Sequence, residues 1–494
     1  MSYASALSGL SIMIGAIGFL FCLFMEPGVG AVTLATASSA AISTGCFILT
    51  LRLEREFIAY KALVLYFVLQ PFFLLTTLLS YPVALQEKLA YSGIFDVRPI
   101  GIFFSYSLIP FLGLLFAFIL VATRGQGIKR NLAFYMQIAK GKLDILLIFA
   151  AFINFTIWIT TVYGGPLTYF LRILHKSLSI SAFFGGLYIK RSKYVTIAWA
   201  VSLGVGLVLS FFTGSRGYAF FPLAFYGIGV LVQARGGKER RLWIVAALVS
   251  IPIVLLSVGL IQNLRSELGR KQITEVNLEE FMTYAGNVVA KSFKAEEVSH
   301  LGREDSPVWH GMTRLIDWTT LLAPTMTPRE SDYRGYGDFL QEIRGQFVWA
   351  GFGRSEGRFY ASRLFARMYG FNVYYQRDYS GKIQSYTVPF NILADSWSRL
   401  GIISTCMQVG IAFIFFTVLE LFNRKLFKNY PSLIVMGIII LLSMSFKHLT
   451  TYTLLETIRG TILQYCFTML MLYLVLQFFR IIPLGGLDVR APRG

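Results

Sequence analysis

Residues Val208 to Leu223 read "VLSFFTGSRGYAFFPL". Two apolar runs meet at a Gly-Ser-Arg-Gly turn, so the stretch reads as two helices joined by a tight connection. Each run extends far enough outward to cross a bilayer of about 30 Å. Arg216 stands between them, and an arginine at the centre of a bilayer costs roughly 2.5–3.5 kcal/mol to insert. Its place at a turn between two spans removes most of that cost and leaves the question of what the charge meets there.

Working outward, the same pattern fills the chain. Of its 494 residues 55% are hydrophobic and 14% charged, with a mean hydropathy of +0.61. The expected fold class is an all-α polytopic integral membrane protein of about 12 transmembrane helices. Expected spans are 5–25, 29–51, 60–80, 99–123, 143–163, 176–190, 194–213, 217–234, 242–262, 399–421, 431–448 and 460–479. The first lacks a basic leader and a small-residue cleavage site, so it is read as a retained span. Three regions follow: an N-terminal bundle of nine spans over 1–262, a large loop over 263–398, and a C-terminal bundle of three spans over 399–494 with its tail.

The net charge is +19. It lies mostly in short clusters beside spans: Arg124 to Lys142, Lys190 to Lys193, Arg235 to Arg241, and Arg424 to Lys428. Short basic loops mark the cytoplasmic side. With the N-terminus inside, all of these clusters fall in the cytoplasm, as do both termini and the arginine-bearing tail. The loop 263–398 holds about as many acids as bases, which excludes a nucleic-acid footprint. Cys22, Cys46, Cys406 and Cys466 are scattered through apolar runs and read as packing residues, with no zinc-ligand spacing.

This topology sets Arg216 at the extracytoplasmic start of the eighth span. Free backbone N–H groups and the positive end of the helix dipole adjoin it there, and Gly214 and Gly217 allow close approach of an anion. The planar guanidinium suits phosphate oxygens. The plainer alternative is an arginine that anchors at lipid headgroups. The loop opens with "NLRSELGRK", which supplies Arg265 and Arg270, and it holds His300 and His310. Its second half mixes arginines and acids with Tyr, Phe and Trp, a composition that suits sugars and equally suits interfacial packing. The piece "GGPLTYFLRILHK" reads as interfacial and carries Arg172. Near the last outer turn stand Lys447, His448, Tyr452, Glu456 and Arg459; Glu456 and Arg459 are also spaced to pair on a helix. No Walker loop, H-E-x-x-H or G-x-S-x-G motif occurs.

The "TGSRG" turn, the twelve-span layout with both ends inside, and the single large outer loop resemble the Wzy-type O-antigen polymerases and the related O-antigen ligases. The resemblance implies a GT-C-like transferase of the bacterial inner membrane. Such an enzyme moves a glycan from undecaprenyl pyrophosphate to a sugar hydroxyl at the periplasmic face, without metal or other cofactor. By position, Arg216 and Arg265 would hold the pyrophosphate. His310, beside Trp309 and Arg314, would take the acceptor's proton. Asp317, Asp338, Glu342 and Glu456 are alternative bases. Arg270, Arg314, Arg172, Tyr452, Glu456 and Arg459 are expected substrate contacts. Implied partners are the lipid-linked oligosaccharide as donor and acceptor, membrane lipids and a chain-length regulator. The rival readings are a ligase that uses lipid A–core as acceptor and a lipid-linked oligosaccharide flippase. The flippase would want a charged central cavity and internally repeated halves, neither of which the sequence displays.

Overall fold

The computed structural model describes residues 3–26, 29–53, 58–80, 99–123, 142–163, 181–187, 189, 192–213, 217–233, 374–377, 383–386, 392–428, 433–434, 436–442 and 454–478, with short pieces between 245 and 290. Its longer helices are α1 (Tyr3–Leu23), α2 (Val29–Leu53), α3 (Ile58–Ser80), α4 (Pro99–Thr123), α5 (Lys142–Tyr163), α6 (Lys193–Thr213), α7 (Gly217–Gln233), α8 (Ile392–Leu426) and α9 (Leu454–Phe478). These fall where apolar runs of about 20 residues are expected to be helical. Within the long connection, β1 (Tyr374–Arg377) and β2 (Ile383–Tyr386) form an antiparallel hairpin that pairs Tyr374 with Tyr386 and Gln376 with Gln384. The chain divides into two compact units, one with α1–α4, the hairpin and α8, the other with α5–α7.

Among the described residues, four helical stretches are long and apolar enough to cross a membrane: Tyr3–Leu23, Gly30–Arg52, Ile403–Leu426 and Thr457–Val475. Their surfaces are turned inside out relative to a water-soluble bundle. On α8 the exposed side chains are Ile403, Met407, Ile411, Ile414, Val418, Leu421 and Phe422, while Ser404, Thr405, Gln408, Thr417, Glu420 and Asn423 are buried. On α9, Ile462, Leu463, Phe467, Leu470 and Leu474 are exposed, and Thr457, Thr461 and Thr468 are buried. Water would favour the reverse; hydrocarbon favours this one. The chain is an α-helical protein of the membrane-embedded kind.

In the first unit α2 packs against α1, α3 and α4, and α8 packs on α4 and α3. Small residues allow the close approach of α1 to α2. Ser8, Gly15 and Cys22 are the buried residues of α1 and recur at heptad spacing. A Cβ on Gly15 would lie 2.6 Å from the carbonyl oxygen of Ser38, and one on Gly45 would lie 2.8 Å from that of Ser8. Ser8 and Ser11 donate to the carbonyls of Gly45 and Ala41, each at 2.7 Å. Other hydroxyls turn back on their own helix: Thr36, Ser39, Thr44 and Thr50 donate to the carbonyls four residues earlier at 2.7–2.8 Å. Cys22, also buried, donates to the carbonyl of Ala31 at 3.2 Å, which fits a packing role. Phe116 of α4 stacks on Phe413 of α8 with ring centroids 6.2 Å apart.

In the second unit α6 packs on both α5 and α7. Ser192 caps α6, its hydroxyl accepting the Val195 N–H at 3.4 Å. Asn154 of α5 donates to the hydroxyl of Ser202 on α6 at 2.8 Å, both side chains buried. The short helical segment 181–187 meets α7 backbone to backbone. A Cβ on Gly186 would lie 2.1 Å from the carbonyl oxygen of Tyr226, and one on Gly229 would lie 2.1 Å from that of Phe183. Gly227, two residues away, has nothing within 4 Å of its added Cβ.

That contrast gives a matched pair of substitutions. Gly229→Ala should destabilise the protein by about 1–3 kcal/mol, because a backbone carbonyl blocks the new methyl. Gly227→Ala should be neutral or slightly stabilising, since alanine is the better helix former. Thermal unfolding of the purified protein in detergent measures both, and equal effects would contradict the packing described.

Candidate functional site

Candidate site residues fall into two groups. Glu456 and Arg459 lie in the first turns of α9, with Arg459 half-buried. Arg172, Arg216, Arg265, Arg270, His310, Arg314 and Tyr452 lie outside the described residues, as do the alternative bases Asp317, Asp338 and Glu342. Arg216 is nevertheless bracketed closely: α6 ends at Thr213, α7 opens at Gly217, and the two helices pack together. It therefore belongs to a three-residue connection, 214–216, immediately ahead of the α7 N-terminus.

What holds α7 follows from the residues around it. Gly186 and Gly229 bring α7 into backbone contact with 181–187, and Gly185 lets that segment reach Trp199 of α6, whose ring a Cβ would approach to 2.5 Å. Trp199 is fully buried. The second half of α7, around Tyr226 and Gly229, is thus anchored through glycines to the segment that precedes α6. Pro222 lies inside α7 and is buried. It lacks an N–H, so the carbonyl one turn earlier has no helical donor, a loss that membrane helices tolerate when neighbours supply partners. The first four N–H groups of any helix are free of intrahelical acceptors, and in the sequence Arg216 directly precedes this helix. A helix start is in general suited to an anion, because its dipole end and N–H groups face the preceding residues.

The structure adds a polar group that hydropathy conceals. Glu420 of α8 is fully buried and accepts from Arg424 at 2.6 Å, one turn along the same helix. Beside it, Asn423 is fully buried and accepts a 2.6 Å hydrogen bond from the hydroxyl of Tyr465 on α9. A hydropathy window reads Glu420 as the end of an apolar run. The readable signal is the i, i+4 spacing of Glu420 and Arg424 in "ELFNR", an order favoured on helices. Ionisable residues within membrane helices are costly and are retained for a structural or functional reason. This group ties α8, which follows the long connection, to α9, whose first turns carry Glu456 and Arg459.

Among the described residues no cluster of His, Cys, Asp and Glu side chains is arranged to hold a metal ion. Comparison of the chain with protein families, with curated proteins and with solved structures finds no match.

Arg424→Gln should lower stability by about 2 kcal/mol, since it removes the cation paired with the buried Glu420 carboxylate; the loss is less than for a fully buried pair because Arg424 is 27% exposed. The double variant Glu420→Gln/Arg424→Gln should recover most of the loss. Detergent unfolding of the two singles and the double gives the coupling, and additive losses would contradict a dependent pair.

Proposed function

We propose that this chain is a metal-independent glycosyltransferase that polymerises undecaprenyl-pyrophosphate-linked oligosaccharide units at the periplasmic face of a bacterial inner membrane. The observation that supports this reading is the location of Arg216, in the short connection between packed helices α6 and α7 and directly ahead of the α7 N-terminus. A diphosphate is the ligand such a turn suits best, because its oxygens accept from both the guanidinium fork and the free N–H groups. The layout that accompanies the proposal has twelve spans, with both termini and the basic loops in the cytoplasm.

The reaction is a substitution at the anomeric carbon. An acceptor sugar hydroxyl attacks that carbon, the bond to the diphosphate oxygen breaks, and the diphosphate departs with the electron pair. His310 takes the hydroxyl proton. Arg216 and Arg265 offset the charge that grows on the leaving group, which is where preorganised donors contribute most. Arg270, Arg314, Arg172, Tyr452, Glu456 and Arg459 contact the lipid-linked substrate. The long connection, rich in aromatic and polar residues, guides the growing glycan, and a chain-length regulator acts on it from outside this chain.

Removal of one preorganised donor typically costs about 2.7–4 kcal/mol of barrier. Arg216→Ala should therefore abolish polymer while the protein still inserts and accumulates normally. Arg216→Lys should retain a minor fraction, because lysine lacks the planar fork. Gel analysis of lipopolysaccharide reads both, and long-chain polymer from the alanine variant at the normal level would end the assignment. The same gel on a deletion strain separates the related ligase reading. A lost polymerase leaves core with one repeat unit, whereas a lost ligase leaves bare core.

A further inference from the structure

The outward side of α8 ends in charge. Its exposed apolar row begins at Ile403 and closes at Phe422, nineteen residues on. At 1.5 Å per residue that row is about 28 Å long, close to the roughly 30 Å of a bilayer's hydrocarbon core. Lys425 is exposed and lies three residues beyond the row, so it stands at headgroup level. It follows Leu421 by four residues and Phe422 by three, which puts all three on one side of the helix. Arg424 adjoins it, 27% exposed, with its Nη2 donating to the buried Glu420 carboxylate at 2.6 Å. That bond fixes the guanidinium at the border of the apolar region. Both cations belong to the last turn of α8, where they also offset the negative end of the helix dipole.

We propose that this end of α8 is a binding site for one anionic glycerophospholipid, with its phosphate at Lys425 and Arg424 and an acyl chain along Ile414, Val418, Leu421 and Phe422. Those four side chains are 48–54% exposed, so the row is open to a chain laid against it. Charge selects the headgroup. The Glu420 carboxylate balances one of the two cations and leaves one positive charge, the match for a single phosphodiester. A zwitterionic headgroup brings its own ammonium, which already offsets its phosphate and repels Lys425. A phosphate in water would meet the cations but leave the apolar row uncovered. A neighbouring membrane helix would need small residues for close approach, and this row is built from large branched and aromatic side chains. The site rests on α8 crossing the membrane and is independent of the transferase reading.

The test places a bimane fluorophore on Val418→Cys in the full-length chain, with the four native cysteines replaced by serine. The protein is reconstituted in phosphatidylcholine vesicles that carry either brominated-chain phosphatidylglycerol or the same amount of brominated-chain phosphatidylcholine. Bromine quenches the fluorophore on contact, so the two titrations give the local preference between the lipids. Phosphatidylglycerol should be preferred about fivefold, the value for one cation close to an anionic headgroup. Lys425→Gln should bring the ratio close to one, Lys425→Arg should keep it, and high salt should lower it. The thermal midpoint of Lys425→Gln should not change, because the residue is exposed. Equal quenching by the two lipids, or a preference that survives Lys425→Gln, overturns the site. An equal preference reported by bimane on Leu20→Cys of α1, whose last turn has no basic residue, also overturns it, since the lipid would then be following the overall charge. No arm depends on polymer formation, so failure here leaves the transferase reading to its own test.

Discussion

Hydrocarbon offers no hydrogen bonds, and that constraint organises the described part of this molecule. It explains why α8 and α9 turn leucines, isoleucines and phenylalanines outward and bury threonines, amides and a carboxylate. It explains why hydroxyls on α2 return to their own backbone. It also explains why Glu420 appears only with Arg424 in reach, and Asn423 only with Tyr465. Because apolar association gains little among lipid tails, the helices are held by close packing and by these polar contacts. Glycines supply the closeness: Gly15 and Gly45 between α1 and α2, Gly186 and Gly229 between 181–187 and α7.

The same constraint gives Arg216 its meaning. A guanidinium between two apolar helices needs an anion, water or a headgroup, and a turn at a helix start supplies further donors toward whatever it meets. The backbone contacts of α7 lie in its second half, at Tyr226 and Gly229, and hold that part of the helix against the segment 181–187.

Much of this architecture is legible from residue order, for particular reasons. The ends of α2, α4 and α6 fall within two residues of the apolar-run boundaries because a run that must cross hydrocarbon has sharp polar borders. The early start of α8 at Ile392 is not legible in hydropathy, because "ILADSWSRL" is polar and helical at once. Arg216 declares itself by interrupting two apolar runs. Glu420 and Asn423 do not, since they sit at the border of one, where charged residues are ordinary. The hairpin was hidden for a different reason: its short strands lie in a stretch whose composition speaks of sugars or interfaces without choosing a secondary structure.

The side of the membrane on which the α6–α7 connection opens tests the central claim most directly. With Cys22, Cys46, Cys406 and Cys466 replaced by serine and Ser215 replaced by cysteine, a maleimide that cannot cross membranes should label the protein from the periplasmic side of intact spheroplasts. Diphosphate-bearing polyprenyl lipid should slow that labelling, while the unphosphorylated polyprenol should not. Labelling only after the cytoplasmic side is opened would place the arginine away from any lipid-linked glycan and contradict the account.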